Sequence, residues 1–282
     1  MGVAITSEVI IYLDAAIDQE KAINTVKDIC LLLTLSQGCR VSWLYYDVIG
    51  QDEKVIESFH GSAITKPLSN LSLIAPEDTM EFLRNVHPNL PKQRESWELQ
   101  KAIDAYTDAK VEGDFLEARA LKMVILLEHL KACYLKEKNK EFILNPPQAF
   151  DESVDSLVED VKQLLVSRFP DIEQDKLKMM AEHIKGLNWF PFSRALSDMC
   201  NDIKLPVTSK ERRRFIQIRN ELVHRFEFCA DYGTPWQQYS YLMDFIGKML
   251  LAILKYDGYY YAWTKLEKRQ EEMRTKLNLK ET

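Results

Sequence analysis

The chain has 282 residues, 46% of them hydrophobic and 28% charged, with a formal net charge of −6. That is an ordinary globular balance. The acidic total excludes coating nucleic acid through bulk charge, so any such role must rest on a local basic patch. No apolar run approaches the roughly 18 residues a membrane span requires. Nine Gly and ten Pro are few for a turn-rich all-β fold and favour helices. The start, MGVAITSEVIIYLDAA, lacks a basic leader and carries Glu8 and Asp14 beside its short apolar run, so it does not read as a signal peptide. Cysteines 30, 39, 133, 200 and 229 are odd in number and show no C-x-x-C spacing. They read as reduced, mostly buried thiols of a cytoplasmic protein, neither a zinc site nor a disulfide framework.

In chain order, SEVIIYLDA (7–15) is β-branched and apolar, a predicted strand. Residues 18–38 place Ala22, Val26, Ile29, Leu32 and Leu33 at helical spacing, with Asp18 as cap and Gly38 as stop. Two β-rich runs around Gly50-Gln51-Asp52 predict a hairpin, 66–76 a loop, and 77–85 a short helix. HPNLPKQ, with two prolines, predicts a linker. From Arg94 the signals are helical: one helix to Gly113, then a second from Asp114, capped by Asp114 with Glu117 and apolar at 116, 120, 123, 127 and 130. After a break at NPPQ, helices are predicted over about 151–168, 173–186 and 193–203. TSKE (208–211) opens another as a capping box, and Thr234-Pro235 opens a long closing helix. The charged end, KLEKRQEEMRTKLNLKET, reads as a helical tail. The expected architecture is mainly α: a small α+β N-terminal cap, 1–90, followed by a helical bundle, 91–282.

The helix opened by TSKE carries RNELVH, residues 219–224, and one of only five histidines. At about 100° per residue, Phe215, Ile218, Leu222 and Phe226 form one stripe that must face the core. His224 then lies roughly opposite and Asn220 one turn away on the same outer face, with Arg219 at the stripe's edge. Arg219 and His224 diverge by roughly 140°, so one copy offers little to a single phosphate. Two copies meeting across a two-fold axis would bring both His224 and both Asn220 together with the arginines at the rim. Imidazoles suit proton transfer near neutrality, and guanidinium groups suit phosphate oxygens. Glu128 is a candidate ion-pair partner for Arg219, both lying at core edges. Arg213, Arg214 and Arg225 are candidate phosphate contacts; the alternative for this basic cluster is a solvated helix face.

An arginine, a polar residue, three arbitrary residues and a histidine, late in a helical bundle, resembles the signature of the HEPN superfamily. The likeness covers about residues 94–265 and is strongest at RNELVH. The N-terminal unit, with LLLTLSQGCRVSWLYYD, is similar to the cap preceding HEPN domains in ApeA-like bacterial proteins. The resemblance implies a homodimeric, metal-independent endoribonuclease, often a toxin or antiviral effector. It leaves a 2′,3′-cyclic phosphate through attack of the ribose 2′-OH, with an antitoxin or regulatory partner as a further expectation. It makes His224 the general acid or base, Arg219 the phosphate clamp, and Asn220 the group that orients substrate or His224. RNA is the expected partner and no cofactor or metal is expected, since no clustered carboxylate or His/Cys ligand set stands in the sequence.

The competing expectation is a non-catalytic HEPN-like nucleotide- or protein-binding module, since fold does not fix function; a helical scaffold with RNELVH as a plain solvated face is the third. His129 reads as a packing residue, and GYYYAW (258–263) as core closure before base stacking.

Overall fold

A computed structural model describes residues 19–43, 45–50, 52–60, 71–145, 147–265 and 273–279; the strand expected over 7–15 lies outside them. Among these residues the fold is mainly helical, with two small two-stranded antiparallel sheets. The chain divides into two compact units, Met1–Leu130 with Cys200–Thr282, and Lys131–Met199. The boundary expected at residue 90 therefore runs through the first unit. No helix of the described residues is long and apolar enough to cross a membrane.

In the first unit, helix α1 (Gln19–Gln37) stops where its glycine predicts: Gly38 takes φ +66° and donates to the Thr34 carbonyl at 3.0 Å. Strands β1 (Tyr45–Ile49) and β2 (Val55–His60) form the predicted hairpin, with Tyr46 stacked on Phe59. After a turn at Pro76–Asp78 comes α2 (Thr79–Val86).

The expected linker is helical instead. A 3-10 turn, His87–Asn89, runs into α3 (Leu90–Arg94), where Leu90 is fully buried and Arg94 pairs with Asp28 of α1. Both prolines sit in first turns, where a missing N–H breaks no hydrogen bond. The single helix expected from Arg94 to Gly113 is also interrupted. Trp97 turns into the core, Glu98 adopts φ 44°, and α4 restarts over Leu99–Asp108. Helix α5 (Leu116–Glu137) buries Ala120, Met123, Leu127 and Leu130 as its spacing predicts. Asp114 does not cap it but pairs with Lys122 at 2.5 Å.

The second unit holds the end of α5, helices α6 (Pro147–Arg168) and α7 (Gln174–Lys185), and the start of α8 (Phe192–Asp202). Here the Asn188 side chain accepts from Leu144 N at 2.7 Å and donates to Leu144 O at 3.0 Å, while Phe142 packs on Trp189.

Helices α9 (Ser209–Arg225) and α10 (Pro235–Ile253) return to the first unit, and both open on capping boxes, Thr208 with Glu211 and Thr234 with Gln237. Helix α10 is buried from Gln238 through Gly247 and is the unit's axis. A Cβ at Gly247 would come within 2.8 Å of Leu73 Cδ1 and Tyr106 Oη, so a larger residue there would require those side chains to shift.

The described part of the charged tail, 273–279, carries a strand where a helix was expected: β3 (Tyr259–Tyr261) pairs with β4 (Arg274–Lys276), while 266–272 and 280–282 lie outside the described residues. Its helix-forming composition is overridden by tertiary pairing. Met273 and Leu277 are buried, and the Arg274 guanidinium grips Asp78 at 2.6 and 2.7 Å while lying 4.1 Å over the Tyr259 ring. Tyr260 and Ala262 are buried, so much of the aromatic run packs as core. All five cysteines are free, but only Cys133 and Cys200 are buried.

Candidate functional site

The site is built on α9. Its start is fixed by Thr208, whose hydroxyl accepts from Glu211 N at 3.2 Å while Glu211 accepts from Thr208 N at 2.8 Å. Burial pushes the Glu211 carboxyl up, but the hydrogen bonds from Thr208 together with the Lys248 charge hold the group below the ordinary range. Phe215, Ile218 and Leu222 are buried, with Phe215 packed 4.8 Å from the Phe245 ring of α10. Burying each such side chain stabilises by about 1.5–3 kcal/mol, which fixes the rotation of α9 about its axis.

Phe226 departs from the expected stripe. It takes φ 57° as the helix cap, donates to the Leu222 carbonyl, and is 49% exposed. The helix ends at Arg225, one residue short of the last position of the stripe, so a residue at the correct spacing no longer points inward.

With the core face fixed, Asn220 and His224 are exposed and Arg219 is half-buried. Arg219 reaches across to α5: Nε and Nη2 donate to Glu128 Oε1 at 3.1 and 2.8 Å. Its Nη1 donates to Asn220 Oδ1 at 2.9 Å. The pair expected from core-edge positions is thus present, and it continues into Asn220. With Oδ1 turned towards arginine, Asn220 presents its Nδ2 donors outward. His224 is exposed as well; five residues on from Arg219, it diverges from it by roughly 140° around the helix, so one chain offers the two groups in different directions.

The remaining arginines divide. Arg225 is exposed and pairs with Glu221 at 3.2 Å. Arg213 and Arg214 lie near the other end of α9, where with Ser209, Lys210, Asp231 and Tyr232 they line an open cleft of about 830 Å³. Arg214 lies 4.4 Å over the Tyr241 ring and donates to the Tyr232 carbonyl at 3.3 Å; its Nε is buried without a hydrogen-bond partner. Sequence reasoning missed Ser209, Lys210 and Tyr232. The basic run SKERRR signals the first two, whereas nothing local marks Tyr232, which the fold brings from the 3-10 turn after α9. His129 is half-buried, 3.9 Å from Glu98. Among the described residues no group of three His, Cys, Asp or Glu side chains is arranged to hold a metal ion.

The Arg219–Glu128 contact makes a measurable difference. Glu128→Ala is expected to lower stability by about 1 kcal/mol, since both side chains are partly exposed. Glu128→Gln, which retains an acceptor, should lose less; equal chemical-denaturation midpoints for all three proteins would show that the contact is idle.

No protein-family model matches the chain, and no curated protein or solved structure shows significant similarity to it.

Proposed function

We propose that the protein is a metal-independent endoribonuclease of HEPN type, acting as a homodimer whose two α9 helices share one cleft. The observation that carries the reading is the exposure of Asn220 and His224, one turn apart on α9, beside an arginine held in place by Glu128. Val223 and Phe226, exposed next to His224, add apolar surface that a second copy would cover.

In the reaction, the neutral His224 imidazole takes the proton of the ribose 2′-OH as O2′ bonds to phosphorus. The P–O5′ bond then breaks, and O5′ takes a proton from the protonated imidazole of His224 of the partner subunit. The products are a 2′,3′-cyclic phosphate and a 5′-OH, with the proton count of the protein unchanged over the cycle. Asn220 Nδ2 and the Arg219 guanidinium stabilise the charge that builds on the non-bridging oxygens. The nucleophile belongs to the substrate and is already adjacent to phosphorus, so no metal is required to generate it. Such an enzyme would serve as a toxin or antiviral effector in the cytoplasm, restrained by an antitoxin or regulatory partner.

One feature favours the alternative, a non-catalytic HEPN-like nucleotide- or protein-binding module: Arg219 is already engaged by Glu128 and Asn220. Incubating the purified protein in EDTA with labelled single-stranded RNA and the matching DNA separates the two. The enzyme shortens RNA and spares DNA; a binding module retains RNA without products.

A further inference from the structure

The basic cleft and RNELVH lie on one line. Arg213 and His224 are eleven residues apart, which in an α-helix is about 16 Å of rise but only about 20° of rotation. Gln217 and Asn220 fall between them, so Arg213, Gln217, Asn220 and His224 lie within about 60° of one another. All four are exposed, as is Lys210 one turn before Arg213. The far end of this row is a walled cleft, where the Tyr232 ring and Arg214 stand beside Lys210 and Arg213, and the Tyr232 hydroxyl donates to Gln217. Among the described residues neither Lys210 nor Arg213 has an ion-pair partner. Asp231 is the one carboxylate in the lining, against three cations. The charge of this face is opposite in sign to that of the chain, −6. Anions are therefore repelled by the molecule at large and drawn to this strip.

We infer that the exposed row of α9 is a track for a single RNA strand: a flanking phosphate seats in the Lys210–Arg213–Arg214 cleft while the cleaved linkage lies at Asn220 and His224. The inference rests on the ribonuclease reading of His224 and adds to it a substrate length and a second anchoring point. At roughly 3.4 Å of rise per stacked nucleotide, 16 Å corresponds to about five nucleotides. A dinucleotide reaches His224 but not the cleft, whereas a decamer reaches both. The cleft binds phosphate without reading bases, since its groups are guanidinium, ammonium and one aromatic ring.

The test is a charge reversal at the cleft, Lys210→Glu with Arg213→Glu. It is made once in the His224→Ala background, where the strand survives for binding measurements, and once with His224 intact. By fluorescence anisotropy, the reversal is expected to weaken binding of a ten-nucleotide RNA at least tenfold. The slope of log affinity against log salt should fall by about 0.7, one single-strand phosphate contact. Lys210→Arg with Arg213→Lys should keep both values near those of the parent. With His224 intact, decamer KM should rise, and the ratio of decamer to dinucleotide kcat/KM should fall. Unaltered decamer affinity and salt slope would overturn the track, as would tighter binding of a poly-glutamate peptide than of RNA at the same cleft. Decamer cleavage that ignores the cleft removes the track and leaves the ribonuclease reading standing. Cleft-dependent RNA binding without cleavage by the unmodified protein removes the ribonuclease reading, and with it the placing of a cleaved linkage at His224, leaving the cleft as an RNA anchor alone.

Discussion

His224→Ala is expected to slow RNA cleavage by about 10²–10⁴-fold, the usual contribution of positioned proton transfer. Stability should move by no more than about 1 kcal/mol, because the imidazole is exposed, in the last turn of α9, and makes no core contact. This separation distinguishes a catalytic residue from a structural one. A variant with native melting behaviour and no cleavage supports the assignment; a variant that still cuts at the parent rate removes His224 from the chemistry. Arg219→Ala should show a different pattern, losing stability as well as activity, because it strands Glu128 without its cation.

The second large effect concerns the core. Lys110 follows α4 and is fully buried, with its Nζ 4.6 Å from the Tyr106 ring centroid and without a hydrogen-bond partner. Burial lowers its pKa to about 7 from 10.5; Cys39 and Asp244 act to raise it, and Arg119 adds to the lowering. Below about pH 7 folded and unfolded chains are both protonated, and the full cost of the buried charge is present. Between about 7 and 10.5 the unfolded chain holds a proton that the folded chain lacks, so stability contributed at this site rises with pH. Lys110→Met is therefore expected to stabilise the protein by on the order of 2 kcal/mol at pH 6, with the gain shrinking towards pH 10. Urea denaturation of both proteins across that range measures it. A Met variant less stable at pH 6, or a gap that widens with pH, contradicts this account of the lysine.

Much of the site was legible because local chemistry decided it. The Thr208–Glu211 box fixed the start of α9, and the spacing of Phe215, Ile218 and Leu222 fixed its rotation. Those two facts send Asn220 and His224 outward. Arg219 and Glu128 were matched through their positions at core edges, and the hairpin and the stop at Gly38 followed from turn residues. What sequence reasoning missed was settled by distant parts of the chain. The prolines of 87–93 suggest a linker until the burial of Leu90 makes the segment part of the core. The tail has helical composition, yet β3 offers an edge that a strand can pair with and Asp78 a carboxylate that Arg274 can reach. Phe226 keeps the right spacing but falls past the last turn. The cleft was half visible: its cations stand in one run, while the ring that walls it comes from the 3-10 turn Ala230–Tyr232.

The most direct measurement is the chemistry of the cut ends. A defined RNA oligonucleotide is treated with the protein in EDTA, beside the same strand carrying one 2′-deoxyribose at the cleaved position, and the products are analysed by mass. Two juxtaposed imidazoles acting on an internal nucleophile should give a 2′,3′-cyclic phosphate and a 5′-OH, with the deoxy-substituted strand left intact. A 3′-OH with a 5′-phosphate, or cleavage of the deoxy-substituted linkage, would contradict it.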